Sequence, residues 1–187
     1  MVSKRRLERR LADLESFRDP RVSLEQYPTP PGLAATLVHR AALEGDLTRT
    51  VVDLGAGTGL LSIAAAFHAP DRVVGLEIDP AAIRIAQENE TDSEPPISID
   101  WIRGDANDAP LCPPSRVTVV MNPPFGAQRS SRGDRGFLLT ASRIATVSYS
   151  IHNVGSRDFI EALARDYGGS VTHAFAAEIE LDRQYPF

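Results

Sequence analysis

Leu7, Leu11, Leu14 and Phe17 recur at helical spacing between charged residues, which predicts an amphipathic helix over residues 3–17. Pro20 ends it, and Tyr27-Pro28-Thr29-Pro30-Pro31 reads as a stiff, non-helical connector before a helix over 33–43. From there short apolar runs alternate with helical patterns. Strands are expected at 50–54, 72–78, 97–102, 116–121 and 145–151, with a long one at 170–181. Helices are expected at 58–67, 80–89, 134–143 and 156–167, Pro80 opening one at its first position. The run 116–121 is almost wholly apolar, as befits the centre of a parallel sheet. Strands alternating with helices imply a doubly wound α/β sheet.

The 187-residue length suits a single domain over 1–187. Within it, 1–31 reads as an N-terminal helix and covering segment, and 32–187 as the α/β core. The apolar runs are too short to span a bilayer, and the charged N-terminus lacks the apolar core of a secretory signal, so no membrane partner and a cytoplasmic setting are expected. Cys112 is the only cysteine, which excludes an internal disulfide and a cysteine zinc cluster; no metal site is expected.

Net charge is −5, but it is unevenly spread. Residues 1–21 carry seven bases against four acids, and residues 127–145 carry Arg129, Arg132, Arg135 and Arg143 against Asp134. Two basic islands on an acidic body point to a localised polyanion contact. Of the 20 basic residues only Lys4 is lysine, a composition that hints at a salt-adapted source.

The first strand runs directly into Asp53-Leu54-Gly55-Ala56-Gly57-Thr58-Gly59-Leu60. Glycines there permit a sharp turn and close approach of a ligand. A dinucleotide loop would put its third glycine where Leu60 stands, so the loop suits a ligand without a pyrophosphate and argues against a nicotinamide oxidoreductase. Glu77, 18 residues beyond Gly59 at the end of the second strand, can accept both hydroxyls of a ribose. Asp79 reads as the cap of the helix opening at Pro80. After the third strand, Asp105 could take a purine amino group while Ala106 offers its backbone N–H.

In this order the motifs resemble class I methyltransferases that use S-adenosyl-L-methionine, with their Rossmann-like sheet, over roughly residues 23 to 185. The sheet of that class closes with an antiparallel hairpin. The sequence given stops at Tyr185-Pro186-Phe187, so it is expected to end before the final antiparallel strand.

The fourth strand leads into Asn122-Pro123-Pro124-Phe125-Gly126. An aromatic amine is a poor nucleophile because its lone pair is delocalised. Two fixed acceptors, the Asn122 side-chain oxygen and the Pro123 carbonyl, would hold its two N–H groups and favour charge developing on nitrogen. Pro124 stiffens the corner, and Phe125 would stack on the target base. The motif reads as planar nitrogen and leaves open an adenine, a glutamine side-chain amide of a protein, or a silent module that retained the fold to bind RNA.

Together with Leu24-Glu25-Gln26-Tyr27-Pro28-Thr29-Pro30 and Tyr149-Ser150-Ile151-His152, it closely resembles the methyltransferase-like-five family, here as an archaeal member. That resemblance implies N6-methylation of an adenosine in small-subunit ribosomal RNA. It implies cofactor contacts from Gln26, Tyr27, Thr29, Gly55, Thr58, Leu60, Glu77, Asp105 and Ala106, beside Asp53, Gly57 and Gly59 of the loop, and catalysis by Asn122, Pro123, Pro124 and Phe125. It also implies a small zinc-binding activator protein as partner. The strand at 97–102, bearing Trp101, is the expected sheet edge and candidate docking place. Arg129, Arg132 and Arg135 are expected on RNA phosphates, with the adenosine unpaired or flipped out.

Overall fold

The computed structural model describes residues 2–112, 117–124 and 134–177. Its first helix, α1, spans Lys4–Ala12 and buries Leu7 and Leu11. It stops five residues before the expected end. The Asn89 side chain intercepts the backbone there, accepting the Glu15 N–H at 2.7 Å and donating to the Glu15 carbonyl at 2.9 Å. A side chain that satisfies both groups of one residue removes the reason to continue a helix. The next helix, α2 (Pro31–Leu43), starts two residues earlier than expected. Proline is suited to the first helical position, where its missing N–H is not needed.

Five strands form one sheet: β1 (Thr50–Leu54), β2 (Arg72–Glu77), β3 (Ile99–Arg103), β4 (Val117–Met121) and β5 (Val147–Ser150). The order is β3-β2-β1-β4-β5 and every pairing is parallel. The connecting helices are α3 (Leu60–Ala66), α4 (Pro80–Ser93) and α5 (Asp134–Ile144), with α6 (Arg157–Asp166) after β5. Side chains alternate between the sheet faces. Val51, Val73 and Val120 pack with α1, α2 and α3 on one face, while Leu54, Leu76, Val119 and Met121 pack with α5 and α6 on the other. Truncating a fully buried leucine such as Leu54 to alanine in such a core costs about 2–5 kcal/mol. No helix among the described residues is long and apolar enough to cross a membrane.

The expected sixth strand does not form over 170–177, and its remaining residues, 178–181, lie outside the described residues. A strand has no backbone hydrogen bonds of its own and exists only beside a neighbour. Gly168, at φ +76°, turns the chain after α6. The segment then runs exposed toward α2, with Arg40 over the Phe175 ring at 5.4 Å, rather than along β5.

Candidate active site

β1, β2 and β4 end level with one another, because Leu54 pairs with Leu76 on one side and with Met121 on the other. Gly55 and Asn122, which follow β1 and β4, and Glu77, the last residue of β2, therefore open onto one cleft. It lies where the strand order reverses between β1 and β4, the usual ligand position in open parallel sheets. Gln26, Tyr27, Thr29, Asp53, Gly55, Gly57, Thr58, Leu60, Glu77, Asp105, Ala106, Asn122 and Pro124 all line a cavity of about 400 Å³ there. Pro123 is buried between its two neighbours.

Gly59 is not in the wall. Its φ of +92° and its closeness to other elements explain the glycine instead: a Cβ would come within 2.9 Å of the Trp101 ring and 3.1 Å of the Ala86 Cβ. Phe125, Arg129 and Arg132 lie outside the described residues, and Arg135 is exposed in the first turn of α5.

The cavity is polar at fixed points. Both Glu77 oxygens accept backbone N–H groups, Oε2 from Gly57 and Oε1 from Asp79, each at 2.8 Å. Every carboxylate oxygen has a further lone pair, so both can still receive a diol. Burial pushes the Glu77 carboxyl up, and these backbone donors restrain the shift.

Asp53 is completely enclosed, and burial raises its pKa to about 7, against a hydrogen bond from the Ser62 hydroxyl to Oδ2 at 2.7 Å. Its Oδ1 has no partner among the described residues. Asp79 caps α4 through the Ala81 N–H at 3.0 Å, as expected, and also accepts from the Gln26 amide at 2.9 Å. Burial opposes its charge, but the Gln26 amide, the Ala81 N–H and Arg21 outweigh it and hold Asp79 below the usual range. Gln26 thus ties residues 21–26 to the head of α4 as well as lining the cavity, since its Oε1 accepts the Arg21 N–H at 2.8 Å. One Asp105 oxygen accepts from both the backbone and the side chain of Asn107 at 2.8 Å.

Two aromatic residues in the wall were not evident from the sequence. Phe17, which continued a helical stripe and looked like core, lies over the loop at Gly57, where a Cβ would be 3.0 Å from its ring. Phe137 of α5 presses on Gly55 in the same way, at 2.7 Å. Nothing in the local pattern marks either one, because each is placed by an element distant in sequence. β3 is a sheet edge, as expected, and Trp101 is half-buried on it. Its ring lies across Gly75, and its indole N–H is given to Glu90 at 2.7 Å.

His152 donates or accepts through both ring nitrogens, to Asp134 at 3.0 Å and Ser150 at 2.8 Å, joining the head of α5 to the tip of β5. Burial depresses its pKa, although Asp134 pulls the other way.

At the opposite end of the cavity, Asn122 donates from Nδ2 to the Thr29 hydroxyl at 2.9 Å, and its Oδ1 is buried with no partner among the described residues. Buried orphan acceptors are rare in proteins and call for an explanation. Here three of them, on Asp53, Asn107 and Asn122, belong to residues that line a ligand-sized space. A diol acceptor at Glu77, a glycine loop against Asp53 and an acceptor beside the Ala106 amide together fit an adenosine carrying an amino-acid chain, with a second acceptor left over at Asn122.

This fold and cleft define a Rossmann-like enzyme that binds a nucleoside cofactor at the sheet's switch point. Residues 34–144 match the family described as "Methyltransferase small domain", and the chain belongs to that family. It is 35% identical to the rRNA N(6)-adenosine-methyltransferase Mettl5 of Drosophila melanogaster, over 98% of this chain and 88% of that protein. It is 34% identical to the rRNA N(6)-adenosine-methyltransferase METTL5 of Danio rerio, over 97% and 89%. A crystal structure of an RNA methyltransferase candidate from Pyrococcus horikoshii superposes with a TM-score of 0.82 at 38% identity, covering 92% of this chain and 86% of that one. The protein is a class I methyltransferase, and its cofactor is S-adenosyl-L-methionine.

Proposed function

We propose that this protein methylates N6 of an adenosine in small-subunit ribosomal RNA. The observation that carries the reading is the unpartnered Asn122 oxygen, buried at the tip of β4 beside the cofactor cavity. The names of the nearly full-length relatives support the RNA and the base.

S-adenosyl-L-methionine, when bound, would supply an electrophilic methyl on a sulfonium, whose sulfur keeps the electron pair of the broken S–C bond and leaves as a neutral thioether. Glu77 would take the ribose hydroxyls, Asp105 and the Ala106 N–H would hold the adenine, and the glycine loop with Asp53 would take the amino-acid end. Asn122 Oδ1 and the Pro123 carbonyl each accept one N–H of the target amine, which turns its nitrogen toward the methyl group. As nitrogen becomes cationic both bonds strengthen, contributing ~1–3 kcal/mol each. The methylated nitrogen is then strongly acidic, so its proton leaves to water without a dedicated base. Phe125 stacks on the base, and Arg129, Arg132 and Arg135 meet phosphates. Arg135 is exposed at the head of α5, as that role requires.

A small zinc-binding activator protein docks on the β3 edge in this reading. Among the described residues β3 pairs with β2 alone, which leaves its other side open to a partner strand. Trp101 is not the contact, because it is spent on Gly75 and Glu90.

The test supplies isotopically labelled cofactor with small-subunit rRNA or with a release-factor protein, and analyses nucleosides and peptides by mass spectrometry. Label in N6-methyladenosine is expected from rRNA. Asn122→Ala should lower that turnover by ~10²–10³-fold with RNA binding retained. Label in glutamine only would replace adenosine as the substrate, and rRNA binding without any turnover would mean a silent module.

A further inference from the structure

Thr29 stands in Tyr27-Pro28-Thr29-Pro30-Pro31, and Asn122 opens Asn122-Pro123-Pro124. A residue that precedes proline is confined to extended backbone, so both are held in stiff corners. These corners, 93 residues apart in sequence, meet through the 2.9 Å hydrogen bond from Asn122 Nδ2 to Thr29 Oγ1. It is the one hydrogen bond of the Asn122 amide among the described residues, and the other end of that amide, Oδ1, is the buried orphan.

A primary amide has an accepting and a donating end that a half-turn about one bond exchanges. In the reversed sense Nδ2 would face the cavity, and the target amine would meet N–H groups with its own N–H groups. Asn122 is useful to an amine in one orientation alone.

We infer that Thr29 is a positioning residue for methyl transfer: its hydroxyl receives Nδ2 and so presents Oδ1 to the amine. The inference rests on the catalytic reading of Asn122 given above. It assigns Thr29 a task apart from the cofactor contact that the family resemblance implies.

Thr29→Val keeps the shape and loses the hydroxyl, whereas Thr29→Ser keeps the hydroxyl. In the valine variant kcat on rRNA should fall about tenfold, the size of one lost hydrogen bond. Its cofactor dissociation constant should change less than about threefold, and serine should restore kcat. Independently of any substrate, the Asn122 side-chain amide signal in an ¹⁵N spectrum, identified by its loss in Asn122→Asp, should shift and exchange faster with water in Thr29→Val and return in Thr29→Ser.

A folded valine variant with unchanged amide signal and unchanged kcat overturns the inference. So does weaker cofactor binding with kcat intact, which would make Thr29 a cofactor contact only. If the amide signal responds but the parent protein methylates no RNA, the positioning stands and the proposed function falls.

Discussion

Six of the seven residues of α3 are buried, whereas α6, ten residues long, buries only Leu163 and leaves Phe159 exposed. The same contrast runs along the top of the sheet. On the β1–β2–β3 side, Asp53, Glu77, Asp79 and Asn89 are buried polar groups, each engaged by a backbone N–H or a side chain. On the β5 side the strand is half-exposed, Val154 is 82% exposed, and 170–177 takes no place in the sheet. One half meets a small ligand of fixed shape and can be preorganised around it. Under the proposed function the other half admits RNA, and dense packing there would close the approach. Placing polar groups for a known ligand needs rigidity; admitting RNA needs surface.

The largest test of this contrast is at Gly75. A Cβ there would strike the Trp101 ring, which is braced by Glu90 and cannot retreat. Gly75→Ala should destabilise the protein by ~1–3 kcal/mol in denaturant unfolding, with a smaller loss in a Trp101→Leu background. Equal losses in both backgrounds would mean that the cofactor half yields more than its packing implies.

Next, Glu77→Gln should weaken cofactor binding roughly tenfold by calorimetry, because a charged acceptor of the ribose becomes neutral, while kcat at saturating cofactor stays nearly constant. A drop in kcat alone would place Glu77 in the transfer step instead.

Asp53 gives a pH test. Its folded pKa of about 7 exceeds the ordinary 3.8, so between these values the folded chain keeps a proton that the unfolded chain has released. Stability from this group is therefore complete below the lower value and declines as pH rises through the higher one. Without cofactor, Asp53→Asn should gain in Tm relative to the parent as pH goes from about 5 to about 8. A constant difference would show Asp53 already ionised. Smallest of all, Val154→Ser should alter stability by no more than about 0.5 kcal/mol, and a larger loss would mean that the β5 side is packed more firmly than its exposure suggests.

Most of the alternation of strands and helices was legible in the sequence. Thr50–Leu54 was bounded as found, and β2, β4, α5 and α6 lay within a residue or so of expectation. The glycine loop, Glu77 and Asn122 were legible for the same reason: each stands at or just past the end of a strand, a local property. What failed was non-local. Helix α1 was shortened by Asn89, whose side chain competes for the backbone from 74 residues away. The expected sixth strand had a strand's composition but no neighbour over 170–177.

The sequence by itself determined the order of elements, the loop that turns at the end of β1 and the acceptor at the end of β4. Periodicity, proline and glycine act within a few residues, so these could be read in advance. Only the tertiary structure decided that Phe17 and Phe137 press on the glycine loop, that Trp101 lies across Gly75 and binds Glu90, and that Thr29 holds the amide of Asn122. Each of these joins elements far apart along the chain, and a contact of that kind exists only after the sheet has set the distance between them.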